Sequence, residues 1–186
     1  MDSFFTQEEL ENFGCSTIGN NVKLSRFARF YGKDQISIGN NVRIDDFCVL
    51  SGKITIHNNI HIAAGCFLYG GEVGIEIYDF ANLSSRIAIY AKSDDYSGAY
   101  MTNPMVPEEF TNVIQDKVVV NKHVIIGTGT VILPGVIIGE GVAIGSLSLV
   151  NKSLPPWMIC AGIPVKPIKE RRKDLIKFEE KFFSQN

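Results

Sequence analysis

The sequence predicts an all-β fold, a parallel β-helix of about six coils, and three observations support this prediction. Aliphatic residues recur every six positions, Gly and Asn recur between them, and the repeat pauses once, near residues 91–117, before it resumes in register. A period of six fits neither the 3.6-residue face of an α-helix nor the two-residue alternation of a strand. Short strands joined by turns and stacked in coils account for this period.

The hexapeptide repeat occupies eighteen positions, and seventeen of them are Ile, Leu or Val. Each group of three predicts one coil whose side chains fill the interior. In chain order the groups are Ile18, Leu24, Phe30; Ile38, Ile44, Leu50; Ile56, Ile62, Leu68; Ile77, Leu83, Ile89; Val120, Ile126, Ile132; and Ile138, Ile144, Val150. Segments such as IGNNV at 18–22 place Gly and Asn where the corners need left-handed backbone angles.

A helix is predicted at each end of the column. The segment TQEE at 6–9 is typical of a capping box, with Thr6 as the N-cap and Glu9 three residues later. This helix is expected to cap the first coil. Near the C-terminus, residues at helical spacing predict an amphipathic helix packed on the column: Leu175, Phe178 and Phe182.

Length and composition fit one domain and argue against several classes of function. The chain has 186 residues, a net charge of −2 and four cysteines without a CxxC pair, so neither nucleic-acid binding nor a zinc or disulfide framework is indicated. It shows no signal segment and no apolar run long enough to span a membrane, so a cytoplasmic protein is expected. The single domain, 1–186, divides into an N-terminal helix in 1–14, a β-helix in 15–165 and a C-terminal helix in 166–186.

The interruption at 91–117 is predicted to be a functional loop. It is far longer than the usual connection, and loops of this length are generally functional or disordered. Its composition opposes disorder, because it contains apolar aromatic residues and prolines: Tyr96, Tyr100, Phe110, Pro104 and Pro107. A loop that only packs against a neighbouring subunit is the alternative.

Several segments resemble the left-handed β-helix (hexapeptide-repeat) acyltransferases: the hexads, VILPGVIIGEGVAIG, LPPW at 154–157 and AGIPVK at 161–166. Within that family, SDDYSG, MTNP and KHVIIGTGTVILPG are similar to the branch that acetylates sugars, including dTDP-4-amino-4,6-dideoxyglucose N-acetyltransferases. The resemblance covers about residues 15–170. It implies a left-handed coil, acetyl-CoA as co-substrate, and a homotrimer with active sites between neighbouring columns.

His123 and Asp94 are the candidate catalytic residues. Many O-acetyltransferases of the family carry a general-base histidine in the interrupting loop, but this loop contains none. His123 is the remaining candidate base and is expected near the base of the loop; a purely structural corner residue is the alternative. Asp94 could take a proton or hold an ammonium group, or be a solvated acid. The candidate acceptor-binding residues are Asn82, Arg86, Asp95, Tyr96 and His61.

The missing loop histidine favours N-acetylation over O-acetylation. A sugar hydroxyl needs help to attack a thioester, whereas a deprotonated amine already carries a nucleophilic lone pair. The predicted function is therefore acetyl transfer from acetyl-CoA to the amino group of a nucleotide-linked amino sugar used for surface polysaccharide. The alternative is an O-acetyltransferase acting on a sugar hydroxyl.

The resemblance implies that coenzyme A binds along the last coils, through backbone amides beside small residues and through late basic side chains. The residues at those positions are Thr128, Ser146, Asn151, Lys152, Lys166 and Lys169. Small side chains let the pantetheine arm approach, and cations suit its phosphates. An ordinary surface charge is the alternative for each lysine.

Two non-transferase alternatives also follow from a β-helix. A zinc enzyme of the carbonic-anhydrase kind needs three histidines on one metal, but His57 and His61 share a hexad and are expected to leave the corner in different directions. No metal is therefore predicted. A non-catalytic binding or scaffold column is the other alternative, and turnover of acetyl-CoA discriminates it from an enzyme.

Overall fold

The computed structural model describes residues 3–185, and a column of parallel strands dominates it. Each coil contributes up to three short strands, which stack into three faces, here called A, B and C. Positions 1, 2 and 186 of the predicted terminal segments lie outside the described residues.

Face A stacks Thr17–Ile18, Ile36–Ile38, the end of Val49–Ile56, the end of Phe67–Ile77, Val118–Val120 and Ile137–Ile138. Face B stacks Lys23–Leu24, Val42–Ile44, Ile60–Ile62, Asn82–Leu83, Ile125–Ile126, Ala143–Ile144 and Met158–Ala161. Face C stacks Arg29–Tyr31, the start of Val49–Ile56, the start of Phe67–Ile77, Ala88–Tyr90, Val131–Ile132 and Leu149–Val150.

The predicted register of the hexads is confirmed. Each aliphatic position pairs with its counterpart one coil away, as Ile38 does with Ile56 on face A. Sixteen of the eighteen positions are buried, and the other two, Ile18 and Phe30, pack half-buried against the core at the first coil. The interior is thus a continuous stack of aliphatic side chains, whose burial is the main source of stability.

The column has about one coil more than predicted, since face B contains seven parallel strands. After Val150, Leu154 forms a parallel bridge with Ile138, and Cys160 pairs with Ile144. The prolines at 155 and 156 obscured this last coil in the sequence. They lie at a corner, where the missing amide hydrogens interrupt no ladder.

The C-terminal segment differs from the predicted helix at 166–186. Lys166–Glu170 is a strand that pairs antiparallel with Met158–Ala161, and the helix α2 spans only Leu175–Ser184. The last strand of face B would otherwise present an open edge, and this strand satisfies its backbone groups. The N-terminal helix α1 spans Gln7–Glu11.

The predicted capping box of α1 is confirmed. The Oγ1 of Thr6 accepts from the backbone N of Glu9 at 3.3 Å, and a carboxylate oxygen of Glu9 accepts from the backbone N of Thr6 at 2.7 Å. Two 3₁₀ turns, Lys33–Gln35 and Glu108–Phe110, complete the helical elements of the described residues.

The corners form three edges. Edge AB carries one residue per coil, each with positive φ: Asn21, Asn41, Asn59, Phe80, His123, Gly141 and Trp157. Edge BC carries, at equivalent positions, Phe27, Phe47, Gly65, Arg86, Gly129 and Leu147, of which all but Phe27 have positive φ. Edge CA carries the interruption at 91–117, here called the arm.

Candidate active site

The cavity that contains His123 lies at edge AB, beneath helix α2. It measures about 550 Å³ and is lined by Asn59, Phe80, Asn82, His123, Val124, Ile125, Arg171, Leu175, Phe178, Glu179 and Phe182. His123 and Asn82 therefore share one cavity, as the sequence predicted. The expectation that His123 also lies near the base of the arm is not met within one chain, because the arm leaves from edge CA.

His123 itself is held firmly in this structure. Its side chain is only 8% exposed, its ring stacks on Phe80 at 5.2 Å, and its Nε2 lies 2.9 Å from Oε2 of Glu179. Lys122 contacts the other carboxylate oxygen of Glu179. Burial alone would raise the pKa of Glu179, but the hydrogen bonds from Lys122 and His123 outweigh it and lower that pKa. These contacts favour a structural role for His123.

Arg171 fastens the segment before α2 to the same edge. Its Nη1 donates to the backbone oxygens of His123, at 2.9 Å, and of Gly141, at 3.0 Å. The ring of Trp157 covers Gly141 so closely that a Cβ there would lie 2.5 Å from the ring. Burial lowers the pKa of Arg171. The sequence pattern predicted an amphipathic helix here. It did not indicate that Arg171, Trp157 and Glu179 would hold this helix against edge AB.

Edge BC brings together Arg86 and the two small residues of the predicted donor groove. Thr128 and Ser146 occupy equivalent corners on successive coils, with the backbone N of Leu147 donating to the oxygen of Thr128 at 2.8 Å. Ser84 begins the corner one coil below, where its backbone N donates to the oxygen of Ile126 at 3.0 Å. Edge BC therefore holds Ser84, Thr128 and Ser146 at the corners of three successive coils.

The arm has its own local structure and projects apolar side chains. Lys92–Ser93 pairs antiparallel with Ile114–Gln115, and Met101 bridges to Thr111. Side chains at the tip are almost fully exposed, with Tyr96 at 93% and Met105 at 90%. Such exposure of large apolar residues is typical of a surface that contacts another molecule.

The two predicted aspartates of the arm differ in their surroundings. Asp95 closes a turn, since its carboxylate accepts from the backbone N and the hydroxyl of Ser97, at 3.0 and 2.8 Å, and these bonds lower its pKa. The side chain of Asp94 is exposed and has no hydrogen-bond partner among residues 3–185. Asp94 is thus the aspartate available to a ligand.

The other predicted donor-binding residues lie apart from Thr128 and Ser146 within one chain. Asn151 and Lys152 are exposed at edge CA, after the last strand of face C. Lys166 and Lys169 are exposed in the strand Lys166–Glu170, beyond face B. A single column therefore does not assemble the whole predicted set.

The three histidines contact different carboxylates. His61 lies in face B beside Asn82 and its Nε2 is 2.8 Å from Asp45, whereas Nε2 of His57 is 3.1 Å from Glu76. Residues 3–185 hold no group of three or more His, Cys, Asp or Glu side chains placed to bind a metal ion. In the same span, no helix is long and apolar enough to cross a bilayer.

Proteins of known sequence and structure that resemble this chain share its fold, and they indicate the family to which it belongs. Residues 35–70 match the family described as "Bacterial transferase hexapeptide (six repeats)". The chain is 50% identical over 184 residues to a dTDP-4-amino-4,6-dideoxy-D-glucose acyltransferase from Escherichia coli, covering 97% of this chain and 95% of that relative. A hexapeptide-repeat acetyltransferase from Vibrio cholerae, at 19% identity and a TM-score of 0.58 over 90% of this chain and 80% of that one, shares the fold.

Solved structures of AntD, an N-acyltransferase from Bacillus cereus, are more similar. They superpose with a TM-score of 0.98 at 51% identity, and the two chains cover each other completely. An AntD variant with its Ser84 replaced by Ala was solved with dTDP-4-amino-4,6-dideoxyglucose and coenzyme A, and one with its Asp94 replaced by Asn was solved with dTDP and coenzyme A. Another AntD structure holds dTDP and 3-hydroxybutyryl-CoA, at 52% identity and a TM-score of 0.97, covering 100% of this chain and 98% of that one.

The stacked hexads, together with these matches, define the class of this protein as a hexapeptide-repeat acyltransferase. Within that class, the chain belongs to the family of the dTDP-4-amino-4,6-dideoxy-D-glucose acyltransferases.

Proposed function

We propose that this protein transfers an acyl group from an acyl-CoA to the 4-amino group of dTDP-4-amino-4,6-dideoxyglucose. The observation that carries the proposal is the full-length match to AntD, which was solved with that amino sugar and coenzyme A. The exposed carboxylate of Asp94 on the arm and the small polar residues Thr128 and Ser146 at edge BC also support it, because they are side chains that such a reaction can use.

Asp94 and Ser84 are the residues proposed to touch the reacting atoms. AntD was solved with substitutions of a serine numbered 84 and an aspartate numbered 94, and this chain, which matches AntD over its whole length, has Ser84 and Asp94 at the same numbers; this agreement supports the proposed roles. The sequence pattern indicated Asp94. It missed Ser84, because a serine after a hexad position is also an ordinary corner residue.

The chemistry assigned to these groups is nucleophilic attack by a neutral amine. Asp94 holds the amino group and accepts its proton, since a carboxylate is both acceptor and counter-ion for an ammonium. The nitrogen lone pair attacks the thioester carbonyl, the carbon–sulfur bond breaks, and the sulfur leaves as a thiolate that takes up a proton. Ser84 is suited to donate a hydrogen bond to the carbonyl oxygen as it gains charge.

A homotrimer is proposed to complete the site. Asp94 extends from edge CA, whereas Ser84 and Thr128 lie on edge BC. Packing edge CA of one column against edge BC of the next brings the arm over the groove. The same arrangement places Tyr96 and Asp95 of the arm near the acceptor residues of face B, Asn82 and His61.

Coenzyme A is proposed to lie along edge BC, beside Thr128 and Ser146. Its phosphates would meet basic and polar groups at the end of the column or on the adjoining subunit: Asn151, Lys152, Lys166 and Lys169. These side chains are all exposed, so none must break an internal contact to bind a phosphate.

Acetyl-CoA is the proposed donor, although AntD was also solved with 3-hydroxybutyryl-CoA. The small side chains of Thr128 and Ser146 support a short acyl group, because they leave the donor position without a long apolar lining. The proposed setting is the cytoplasm, with the product used for surface polysaccharide.

The test is release of free thiol from acetyl-CoA, followed with a thiol-reactive dye, with dTDP-4-amino-4,6-dideoxyglucose and with its 4-hydroxy counterpart dTDP-6-deoxyglucose. Release with the amine alone is expected. Release with the hydroxyl sugar alone would favour O-acetylation, and release with neither would overturn the proposal. The same assay with 3-hydroxybutyryl-CoA compares the donors.

A further inference from the structure

Face B carries a histidine bound to an aspartate close to Ser84, and the reaction described above gives this pair no task. Nε2 of His61 is 2.8 Å from Oδ2 of Asp45, and the side chain of His61 is 43% exposed, so the ring is both anchored and open to a ligand. His61 pairs with Asn82 in the ladder of face B, and Ser84 follows Asn82 by two residues. The imidazole therefore lies one coil away from the segment that ends at Ser84.

Asp45 and Ser84 occupy the same position on different coils, at the start of edge BC. At this position the backbone N donates to a face B carbonyl oxygen one coil further along, at 3.0 Å for Asp45, 2.9 Å for Ala63 and 3.0 Å for Ser84. Because neighbouring strands of a sheet lie about 4.8 Å apart, Asp45 is about 10 Å from Ser84 along the column. Only the methyl group of Ala63 stands between the two positions, so no large side chain separates the His61–Asp45 pair from Ser84.

Asp45 determines which nitrogen of His61 can accept a proton. Burial alone would raise the pKa of Asp45, but the hydrogen bonds from His61 and Arg43 outweigh it and lower that pKa. Nε of Arg43 donates to Oδ1 of Asp45 at 2.7 Å, which leaves Oδ2 for the imidazole. Since an ionised carboxylate can only accept, Nε2 of a neutral His61 carries the hydrogen and Nδ1 keeps its lone pair. Nδ1 has no hydrogen-bond partner among residues 3–185.

The proposed reaction needs a second proton acceptor. A sugar ammonium loses two protons on its way to an amide, one before the nitrogen attacks and one after the carbon–nitrogen bond has formed. Asp94 is proposed to take the first proton. The hydroxyl of Ser84, which has no hydrogen-bond partner in the part of the chain that the structure describes, is proposed to bind the carbonyl oxygen. The second proton is therefore released close to Ser84.

We propose that His61 is a further catalytic residue of this reaction, a proton acceptor that Asp45 positions. The proposal rests on the proposed function. Once the amine nitrogen has bonded to the thioester carbon, Nδ1 of His61 takes one of the two protons that the nitrogen still carries. The carbon–sulfur bond then breaks, its electron pair leaves with the sulfur, and the imidazolium gives its proton to the thiolate. Asp45 holds the ring and stabilises the imidazolium without touching the substrate.

The experiment measures kcat, KM and the effect of free imidazole in variants of His61 and of a matched control, His57. His57 is also a partly exposed histidine bound to a carboxylate, with its Nε2 3.1 Å from Oε1 of Glu76, but it lies at edge AB. Acetylated nucleotide sugar is quantified by mass spectrometry, so that hydrolysis of acetyl-CoA by imidazole is not counted. Melting temperatures establish that each variant is folded.

His61→Ala should lower kcat by about 10², while the KM of each substrate changes less than about threefold. Added imidazole should raise the kcat of this variant by about tenfold or more, because it can enter the vacated space and take the proton. His61→Gln, whose amide can still bond to Asp45, should show a similar fall in kcat. Asp45→Asn should lower kcat by about tenfold or more without a response to imidazole, because an amide can favour the wrong tautomer. His57→Ala should keep the wild-type kcat and show no response to imidazole.

Three outcomes would overturn the proposal while leaving the proposed function intact. The first is a wild-type kcat in His61→Ala. The second is a lowered kcat that imidazole does not restore, which would give His61 a structural role. The third is a raised KM for the amino sugar with an unchanged kcat, which would make His61 a binding residue only. No acetylated sugar from the wild-type protein would instead overturn the proposed function itself.

Discussion

The imidazole of His123 and the carboxylate of Glu179 join the corner of the fifth coil to helix α2, with 2.9 Å between Nε2 and Oε2. Glu179 also contacts Lys122, so one carboxylate fastens two neighbouring residues of edge AB. The contact explains why a histidine occupies a corner whose positive φ of 60° otherwise suits Asn or Gly. It also removes His123 from easy access by a substrate.

Glu179→Gln should remove a contribution to folding stability that the wild type itself loses when the pH is lowered. Because the pKa of Glu179 is lowered from 4.5 in the folded protein, its ionised form contributes stability that is present above that value and lost as the pH falls through the folded pKa. Melting temperatures should be measured by calorimetry from pH 7 to pH 3. The wild type should melt at a higher temperature than the variant at neutral pH, and the difference between the two melting temperatures should shrink in acid. A constant difference would contradict this account.

His123→Asn should separate a structural from a catalytic role. Asn tolerates the left-handed corner, but it loses the contact with Glu179 and the stack on Phe80. We expect unfolding to become easier by about 1–3 kcal/mol, measured by urea titration, and kcat to change less than about threefold. A fall in kcat of about 10² with unchanged stability would show that His123 is a general base after all.

Asp94→Asn should lower kcat/KM by about 10² or more without weakening coenzyme A binding, because the amide neither accepts the proton nor pairs with an ammonium. Steady-state kinetics and a separate titration with coenzyme A measure the two effects. An unchanged kcat/KM would remove the arm from the reaction.

A mixture of subunits tests whether the site is shared. If each site combines Asp94 of one chain with Ser84 of its neighbour, co-expressing Asp94→Asn with Ser84→Ala regenerates some sites in which both residues are native. The activity of the mixture then rises above that of either variant alone. Each variant expressed by itself is the control. No recovery in purified mixed oligomers would place both residues of each site in one chain.

Thr128→Trp should obstruct the proposed donor groove. The large ring would fill the space beside Ser146 and raise the KM for acetyl-CoA by about tenfold or more. Binding of dTDP should stay unchanged, because Thr128 is proposed to contact the donor and not the nucleotide sugar. Thr17→Trp, at an exposed position of face A on the first coil, is the matched control. An unchanged KM in Thr128→Trp would move coenzyme A elsewhere.

The regular part of the fold could be predicted from the sequence because each coil repeats one local pattern. Aliphatic residues such as Ile38 and Ile56 stack on one another, so their spacing alone fixes the register. The last coil and the strand Lys166–Glu170 could not be predicted in this way. Leu154 follows Val150 by four residues instead of six, and the strand forms only to cover an open edge.

The site was less predictable, because it depends on contacts between distant segments. The convergence of His123 with Asn82 followed from the coil geometry, but the contact of Nε2 with Glu179 joins residues 56 positions apart and has no periodic signal. The proposed role of Ser84 also had no signal in the sequence, because a serine after a hexad position is an ordinary corner residue. Its significance depends on which edge faces the arm of a neighbour.

The central claim is tested most directly by the bond formed in the product. The protein, acetyl-CoA and dTDP-4-amino-4,6-dideoxyglucose are incubated together, and the purified nucleotide sugar is analysed by two-dimensional NMR and mass spectrometry. We predict one acetyl group in an amide on the C4 nitrogen, stable to mild alkali. An ester on a ring hydroxyl, or thiol release without any acetylated sugar, would contradict the account.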